Sequence, residues 1–215
     1  MNMEKLNSVL NKYGMSVPEN YKFEPVVACD NAQFLIDRYA SDTKGGGAKF
    51  QECILRYLIT GTLETMHPLG QADIVVSSGV TCEVKTGHGW ALEPCFDSLP
   101  ELCDWLEGRK NPMVKASHVA YIPNRATFDK AQAFDALFFT ARQFIKILSS
   151  FEKLEVKENR GLWGIAIKPW IAEGYAQKSS PKNDSKIRQT LIDNGLIIEE
   201  FCEKFGKTLH DIEKI

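Results

Sequence analysis

The chain has 215 residues, of which 44% are hydrophobic and 25% are charged, and its formal net charge is −2. This composition is ordinary for a soluble globular protein and predicts one main domain with a substantial core. The near-neutral charge argues against a strong non-specific nucleic-acid binder. No apolar run reaches membrane-spanning length, the N-terminus lacks a signal-peptide core, and the six cysteines include no C-x-x-C pair. We therefore expect a cytoplasmic protein with reduced thiols and no membrane association.

The first 47 residues are predicted to be largely helical. Apolar residues at helical spacing predict one helix at 1–13 and a second at 30–41, with Asp30 as its N-cap and Gln33 three residues later. Glycines at 45–47 follow, and a loop hinge is the favoured interpretation. The alternative is that these glycines and Lys44 contact a phosphate, because backbone N–H groups ahead of a helix bind anions.

A third helix is predicted at 48–60, where an apolar stripe recurs every three to four residues. At 100° per residue, Glu52 falls at the edge of this stripe and can reach the end of the sheet on which the helix packs. An ordinary solvated glutamate is the competing interpretation of Glu52. A short strand is then predicted at 62–66.

A β-hairpin is predicted next, with strands at 72–76 and 80–86 joined by a turn at 77–79. Alternation along the second strand puts Glu83 and Lys85 on one face, and Asp73 can lie across from Glu83. Two carboxylates and an ammonium group in an otherwise apolar hairpin are costly to bury unless a cation or partner compensates them. Carboxylate oxygens favour magnesium as that cation, because no histidine or cysteine shares this face.

The pattern Asp73…Glu83-Val84-Lys85 resembles the active site of the PD-(D/E)XK nuclease superfamily, which includes restriction endonucleases and Holliday-junction resolvases. The resemblance implies that Asp73 and Glu83 bind Mg²⁺, with help from the Val84 carbonyl and with Mn²⁺ able to substitute. It also implies that Lys85 positions water or stabilises charge, and that Glu52 completes the site. Ala72 stands where many members of the superfamily have proline.

Only one of the four (D/E)-x-K tripeptides in the chain has the context that this site requires. The others begin at Asp42, Glu155 and Asp184 and lack a hairpin partner aspartate. After Lys85, the loop at 86–90 leaves the charged strand directly, so His88 and Trp90 are candidate substrate contacts. Burial of Trp90 over the core is an equally weighted alternative.

The remainder of the chain alternates helices and strands, which predicts an α/β protein with some parallel pairing. Helices are predicted at 96–106 and 141–151, strands at 117–122 and 136–140, and an edge strand at 161–168. This order resembles a restriction endonuclease-like core, a central mixed sheet flanked by helices. The predicted divisions are an N-terminal helical extension (1–47), the nuclease-like core (48–175), and a linker with a C-terminal helical appendage (176–215).

Two short helices are predicted at 186–193 and 196–205, with a third candidate near Thr208. The segment 197–212 has the glycine-centred turn of a helix-turn-helix, although packing is the favoured role for it. The resulting hypothesis is a magnesium-dependent nuclease acting on DNA. Because the chain has little basic character, we expect a protein partner that delivers the substrate. A homodimer is compatible with cutting two strands. The alternatives are an inactive protein of the nuclease fold that binds nucleic acid or protein, and an interaction domain in which the charged hairpin is a solvated edge.

Overall fold

The computed structural model describes residues 8, 11, 14, 28–42, 45–64, 72–87, 91–96, 98–108, 116–159, 162–167 and 181–215. The helices in these ranges are α1 (Ala32–Tyr39), α2 (Gly46–Thr60), α3 (Leu99–Leu106), α4 (Ala141–Phe151), α5 (Asp184–Asn194) and α6 (Ile198–Lys204). Short 3₁₀ helices lie at Lys130–Asp135 and Ile212–Lys214. The strands are β1 (Ala28–Cys29), β2 (Leu63–Glu64), β3 (Ile74–Ser77), β4 (Val80–Thr86), β5 (Ala91–Phe96), β6 (His118–Ile122), β7 (Leu137–Thr140), β8 (Leu154–Asn159), β9 (Leu162–Ile167) and β10 (Leu196–Ile197).

The central layer is a mixed five-stranded sheet with the strand order β10-β7-β6-β4-β3. Strands β4 and β6 are parallel and the other neighbouring strands are antiparallel. The parallel pair requires a crossover, because two parallel strands cannot be joined by a tight turn; helix α3 lies in that crossover. Smaller sheets are formed by β1 with β2 and by β5, β9 and β8. The prediction of an α/β protein with a mixed sheet flanked by helices is confirmed.

The five-stranded sheet has an apolar cluster on each face, as expected when side chains alternate along buried strands. Ala120 and Ile122 of β6 join α1, α2 and α6 on one face, which we call the first cluster. Val119 and Tyr121 join α3, α4, α5 and β9 on the other face, which we call the second cluster. The sheet is therefore covered on both sides, and a charged side chain on either face of β4 must meet buried surroundings.

Helix α2 is placed by features at both of its ends. A Cβ added to Gly46 would collide with the main-chain carbonyl of Tyr39, and one added to Gly47 would lie 2.7 Å from the carbonyl of Ala126. The first glycines of the helix therefore allow two neighbouring segments to approach closely. At the other end, Gly61 has φ of +76°, a left-handed conformation that glycine adopts at little cost.

The C-terminal segment, predicted as an appendage, contributes to the sheet and to both clusters. Strand β10 pairs with β7, so it forms one edge of the five-stranded sheet. Phe201 of α6 is fully buried and stacks on Phe138, with ring centroids 4.0 Å apart. Ile187 and Leu191 of α5 belong to the second cluster. Burial of these side chains stabilises the fold by about 1.5–3 kcal/mol each.

Three local predictions need correction. The N-cap of α1 is Asn31 and not Asp30, because the Asn31 side chain accepts a hydrogen bond from the Phe34 N–H at 3.0 Å. Helix α3 begins three residues later than predicted, since the Ser98 hydroxyl caps it and the residues up to Phe96 form β5. Strand β9 is the middle strand of its sheet and not an edge, because β5 and β8 both pair with it.

The helix predicted at 1–13, apart from residues 8 and 11, and residues 176–180 of the linker predicted at 176–186 lie outside the described residues. The end of that linker needs correction, because Asp184, Ser185 and Lys186 belong to α5. Within the described ranges, every helix is too short or too polar to cross a bilayer.

Candidate functional site

The hairpin of β3 and β4 brings Asp73 and Glu83 together, as the sequence predicts. Ile74 pairs with Cys82, so one step back along the antiparallel register puts Asp73, directly before β3, across from Glu83. The Asp73 carboxylate crosses to the partner strand, where its Oδ2 accepts a hydrogen bond from the Val84 N–H at 2.7 Å. Val84 therefore participates through its N–H, and the predicted role of its carbonyl as a metal ligand stays a prediction.

Glu83 and Lys85 share one face of β4, again as predicted. The Lys85 Nζ atom lies 2.9 Å from Glu83 Oε1, and the two side chains are 12% and 7% exposed. These residues lie opposite Tyr121 and Val119 of β6, so their face of the sheet is the one covered by the second cluster. A charge-assisted hydrogen bond in such surroundings is short and strong, and it offsets part of the cost of removing both groups from water.

Helix α2, which packs on the other face of the sheet, brings Glu52 near Asp73, together with Arg56, a residue that the sequence patterns did not single out. Arg56 Nη2 lies 3.0 Å from Glu52 Oε1, and the two side chains are 4% and 22% exposed. The Arg56 Nε and Nη2 atoms both donate to the main-chain carbonyl of Asp73, at 3.0 and 2.7 Å. The signal that could have revealed Arg56 is an arginine beside an apolar stripe, one helical turn after an acidic residue.

Burial and neighbouring carboxylates together set the electrostatics of Asp73. Burial, then the charges of Glu83 and Glu52, raise the pKa of Asp73 from 3.8 to about 7. The hydrogen bond from the Val84 N–H and the charge of Lys85 oppose this rise without cancelling it. Asp73 is thus the residue that the acids of both the strand and the helix influence. We call Glu52, Arg56, Asp73, Glu83 and Lys85 the carboxylate cluster.

The donor set of this cluster suits a hard divalent cation that is bound by few protein ligands. Among the residues that the structure describes, no three His, Cys, Asp or Glu side chains converge closely enough to form a metal cage. Magnesium is commonly held by one or two carboxylates, with water and substrate phosphates completing the shell. Asp73 and Glu83 match that requirement, and added positive charge would relieve the crowding that raises the pKa of Asp73.

Water reaches the cluster unevenly. Glu83 is 5% exposed, whereas Asp73 and Lys85 are partly exposed. The small exposed part of the cluster is therefore contributed by Asp73, Lys85 and Glu52, whereas Glu83 is buried.

The structure does not describe the other predicted site residues. Lys44, His88 and Trp90 lie outside the described residues. At the described end of the loop after β4, Gly87 has φ of +57° and its carbonyl accepts a hydrogen bond from the Tyr121 hydroxyl at 3.0 Å. The loop-hinge interpretation is wrong for Gly46 and Gly47, because both belong to the first turn of α2, where they have the packing role described above. The alternative contact with a phosphate stays a prediction.

The fold and the cluster define an α/β protein with an acidic and basic site at the start of a hairpin. Comparison of the chain with protein-family models, with curated proteins and with solved structures gives no match. Function must therefore be inferred from the chemistry of the carboxylate cluster.

Proposed function

We propose that the chain is a magnesium-dependent nuclease of the PD-(D/E)XK type that hydrolyses phosphodiester bonds of DNA. One observation carries the proposal: Asp73, Glu83 and Lys85 converge at one hairpin, with Glu52 close enough to raise the pKa of Asp73. Two carboxylates with a neighbouring ammonium group, of which Asp73 and Lys85 are partly exposed, suit metal-assisted phosphodiester hydrolysis.

The order of elements around the cluster supports this proposal. Helix α2 precedes the hairpin, helix α3 follows it, and β6 then pairs in parallel with β4. That order is similar to the helix, strands, helix and strand of the nuclease core. The chain departs from it at Leu63–Glu64, because β2 pairs with β1 and not with the five-stranded sheet.

Each residue of the cluster has a role in the proposed reaction. Asp73 and Glu83 hold the ion, which supplies positive charge at the scissile phosphate and makes nearby water more acidic. Lys85, held by Glu83 at 2.9 Å, orients the attacking water or stabilises charge on the phosphate. Glu52 tunes the site through its effect on Asp73.

The test is a cleavage assay on single-stranded, duplex and branched DNA, and on RNA, with magnesium or manganese. Asp73→Asn keeps an acceptor for the Val84 N–H, and Lys85→Gln keeps a donor for Glu83, so both variants are expected to fold. Each should lose activity by about 100-fold or more. Lys186→Gln is the matched control, because Lys186 belongs to another (D/E)-x-K tripeptide and is exposed. Cleavage activity that survives in Asp73→Asn or Lys85→Gln would exclude the substituted residue from the mechanism.

A second candidate function is favoured by a specific observation. Glu83 is 5% exposed and its Oε1 is engaged by Lys85, while Glu52 is engaged by Arg56. Lys85 and Arg56 can thus serve as the counter-ions of these two carboxylates without a metal ion. This is expected for a catalytically inactive protein of the nuclease fold that binds nucleic acid or another protein. A calorimetric magnesium titration separates the two functions: binding that Asp73→Asn abolishes supports the nuclease, and no binding to the folded wild type supports the inactive protein.

A further inference from the structure

We propose that Arg56 is the positioning residue of the metal site: it fixes the main chain of Asp73 so that the aspartate can act as a ligand. The inference rests on the proposed function and extends it to a residue that does not itself contact the metal or the substrate.

The contacts hold Asp73 from two elements at once. From α2, two N–H groups of Arg56 converge on the Asp73 carbonyl, at 3.0 and 2.7 Å. From β4, the Val84 N–H holds the Asp73 side chain through Oδ2 at 2.7 Å. Asp73 lies just before β3 and has no strand partner of its own in the register. These contacts therefore take over the task of fixing its backbone and its χ angles.

The same guanidinium also fixes a second acid. Arg56 Nη2 lies 3.0 Å from Glu52 Oε1. The planar fork of arginine can serve a carbonyl and a carboxylate in one fixed geometry, which a lysine ammonium cannot reproduce. Arg56 therefore couples the helical acid to the hairpin acid.

Fold stability alone gives a weak reason for an arginine at this position. The Arg56 side chain is 4% exposed and lies beside the apolar stripe of α2. Buried ion pairs can often be replaced by apolar residues of similar volume with no loss of stability. The charge of Arg56 also opposes the binding of a cation. Positioning of the ligands accounts for its presence, since residues that orient metal ligands contribute 10–100-fold to metal affinity.

The chain contains a matched arrangement outside the carboxylate cluster. Arg188 of α5 pairs with Asp184 one helical turn earlier at 2.8 Å and donates to the Pro123 carbonyl at 2.6 Å. The types of bond are the same as for Arg56. The substitution Arg188→Lys therefore reproduces the chemistry of Arg56→Lys without touching the proposed ligands.

The test compares magnesium binding to purified wild type, Arg56→Lys and Arg188→Lys by calorimetry, with urea unfolding to verify folding. Arg56→Lys preserves the charge and removes the fork, so its magnesium affinity should fall about 10–100-fold. Arg188→Lys should change that affinity less than about 2-fold. In the cleavage assay, the magnesium concentration for half-maximal rate should rise in Arg56→Lys while KM for DNA stays unchanged.

If Arg56→Lys does not fold, Arg56→Gln is measured instead, because its planar amide can still donate to the Asp73 carbonyl. Its affinity should also fall about 10-fold or more. An affinity equal to or above that of the wild type in either folded variant would overturn the inference, as would an equal loss in Arg188→Lys. If the folded wild type binds no magnesium, the proposed function fails first and this inference fails with it.

Discussion

Asp73→Asn should stabilise the metal-free protein at alkaline pH while removing its metal site. Burial and the charges of Glu83 and Glu52 raise the pKa of Asp73 from 3.8 to about 7 in the folded chain. The folded state therefore binds a proton more tightly than the unfolded state. The stabilisation from that proton is complete below pH 3.8 and is lost as the pH rises through about 7. Asparagine carries no titrating charge and keeps an acceptor for the Val84 N–H.

The size of the effect follows from the same shift. A rise of about 3 pH units corresponds to about 4 kcal/mol over the whole window. Somewhat more than half of this falls between pH 5 and pH 8. Because Asp73 is partly exposed, solvent screening reduces the expected difference to about 1–2 kcal/mol. The wild type should lose this much stability relative to Asp73→Asn on going from pH 5 to pH 8.

The assay is urea unfolding in the presence of a chelator, at pH 5 and at pH 8. Asp129→Asn is the control for the substitution itself, since Asp129 is exposed and also accepts from a main-chain N–H, that of Ala131. Magnesium added at pH 8 should stabilise the wild type and leave Asp73→Asn unchanged. The reasoning would be refuted if the difference in free energy of unfolding between the wild type and Asp73→Asn were the same at pH 5 and at pH 8.

Three further outcomes are expected from urea unfolding. Lys85→Ala should lower the free energy of unfolding by about 3 kcal/mol, because it leaves the Glu83 carboxylate buried without its ammonium neighbour; a change below 1 kcal/mol would show that water replaces the lysine at little cost. Phe201→Ala should cost about 3–5 kcal/mol, since its ring is fully buried and stacks on Phe138; a loss confined to local fraying of the C-terminus would contradict its place in the core. Gly61→Ala should cost at least about 1–2 kcal/mol, because φ is +76° and the new Cβ would lie 2.6 Å from a histidine ring; an unchanged midpoint would contradict this.

The central part of the fold could be predicted because its patterns are local. The apolar stripe of α2 and the alternation along β3 and β4 have the two periods that define helices and strands. A hairpin with a short turn also fixes its own register, so the position of Asp73 across from Glu83 follows from the positions of the two strands. The convergence of Asp73, Glu83 and Lys85 could be predicted because every step depended on neighbours in sequence, and their role as a metal site stays a prediction.

The parts that could not be predicted depend on distant contacts. The two-residue strand β10 is defined by its pairing with β7, and so short a segment carries no periodicity. The charged segment that forms β8 lacks a continuous apolar face, and its pairing with β9 decides its structure. Arg56 was missed for a related reason: helical spacing shows which face a long side chain leaves from, but not that its guanidinium reaches a carbonyl 17 residues later.

The position of α6 has a consequence for how the chain acquires its structure during synthesis. Ile198, Phe201 and Cys202 close the apolar surface formed by α1, α2 and β6, which the ribosome makes at least 76 residues earlier. Until those late residues emerge from the exit tunnel, the nascent polypeptide exposes an uncovered apolar surface and lacks the β10 edge of the five-stranded sheet. Closure of that face is therefore expected to wait for α6, and a chaperone that shields the face in the meantime would raise the yield of native protein.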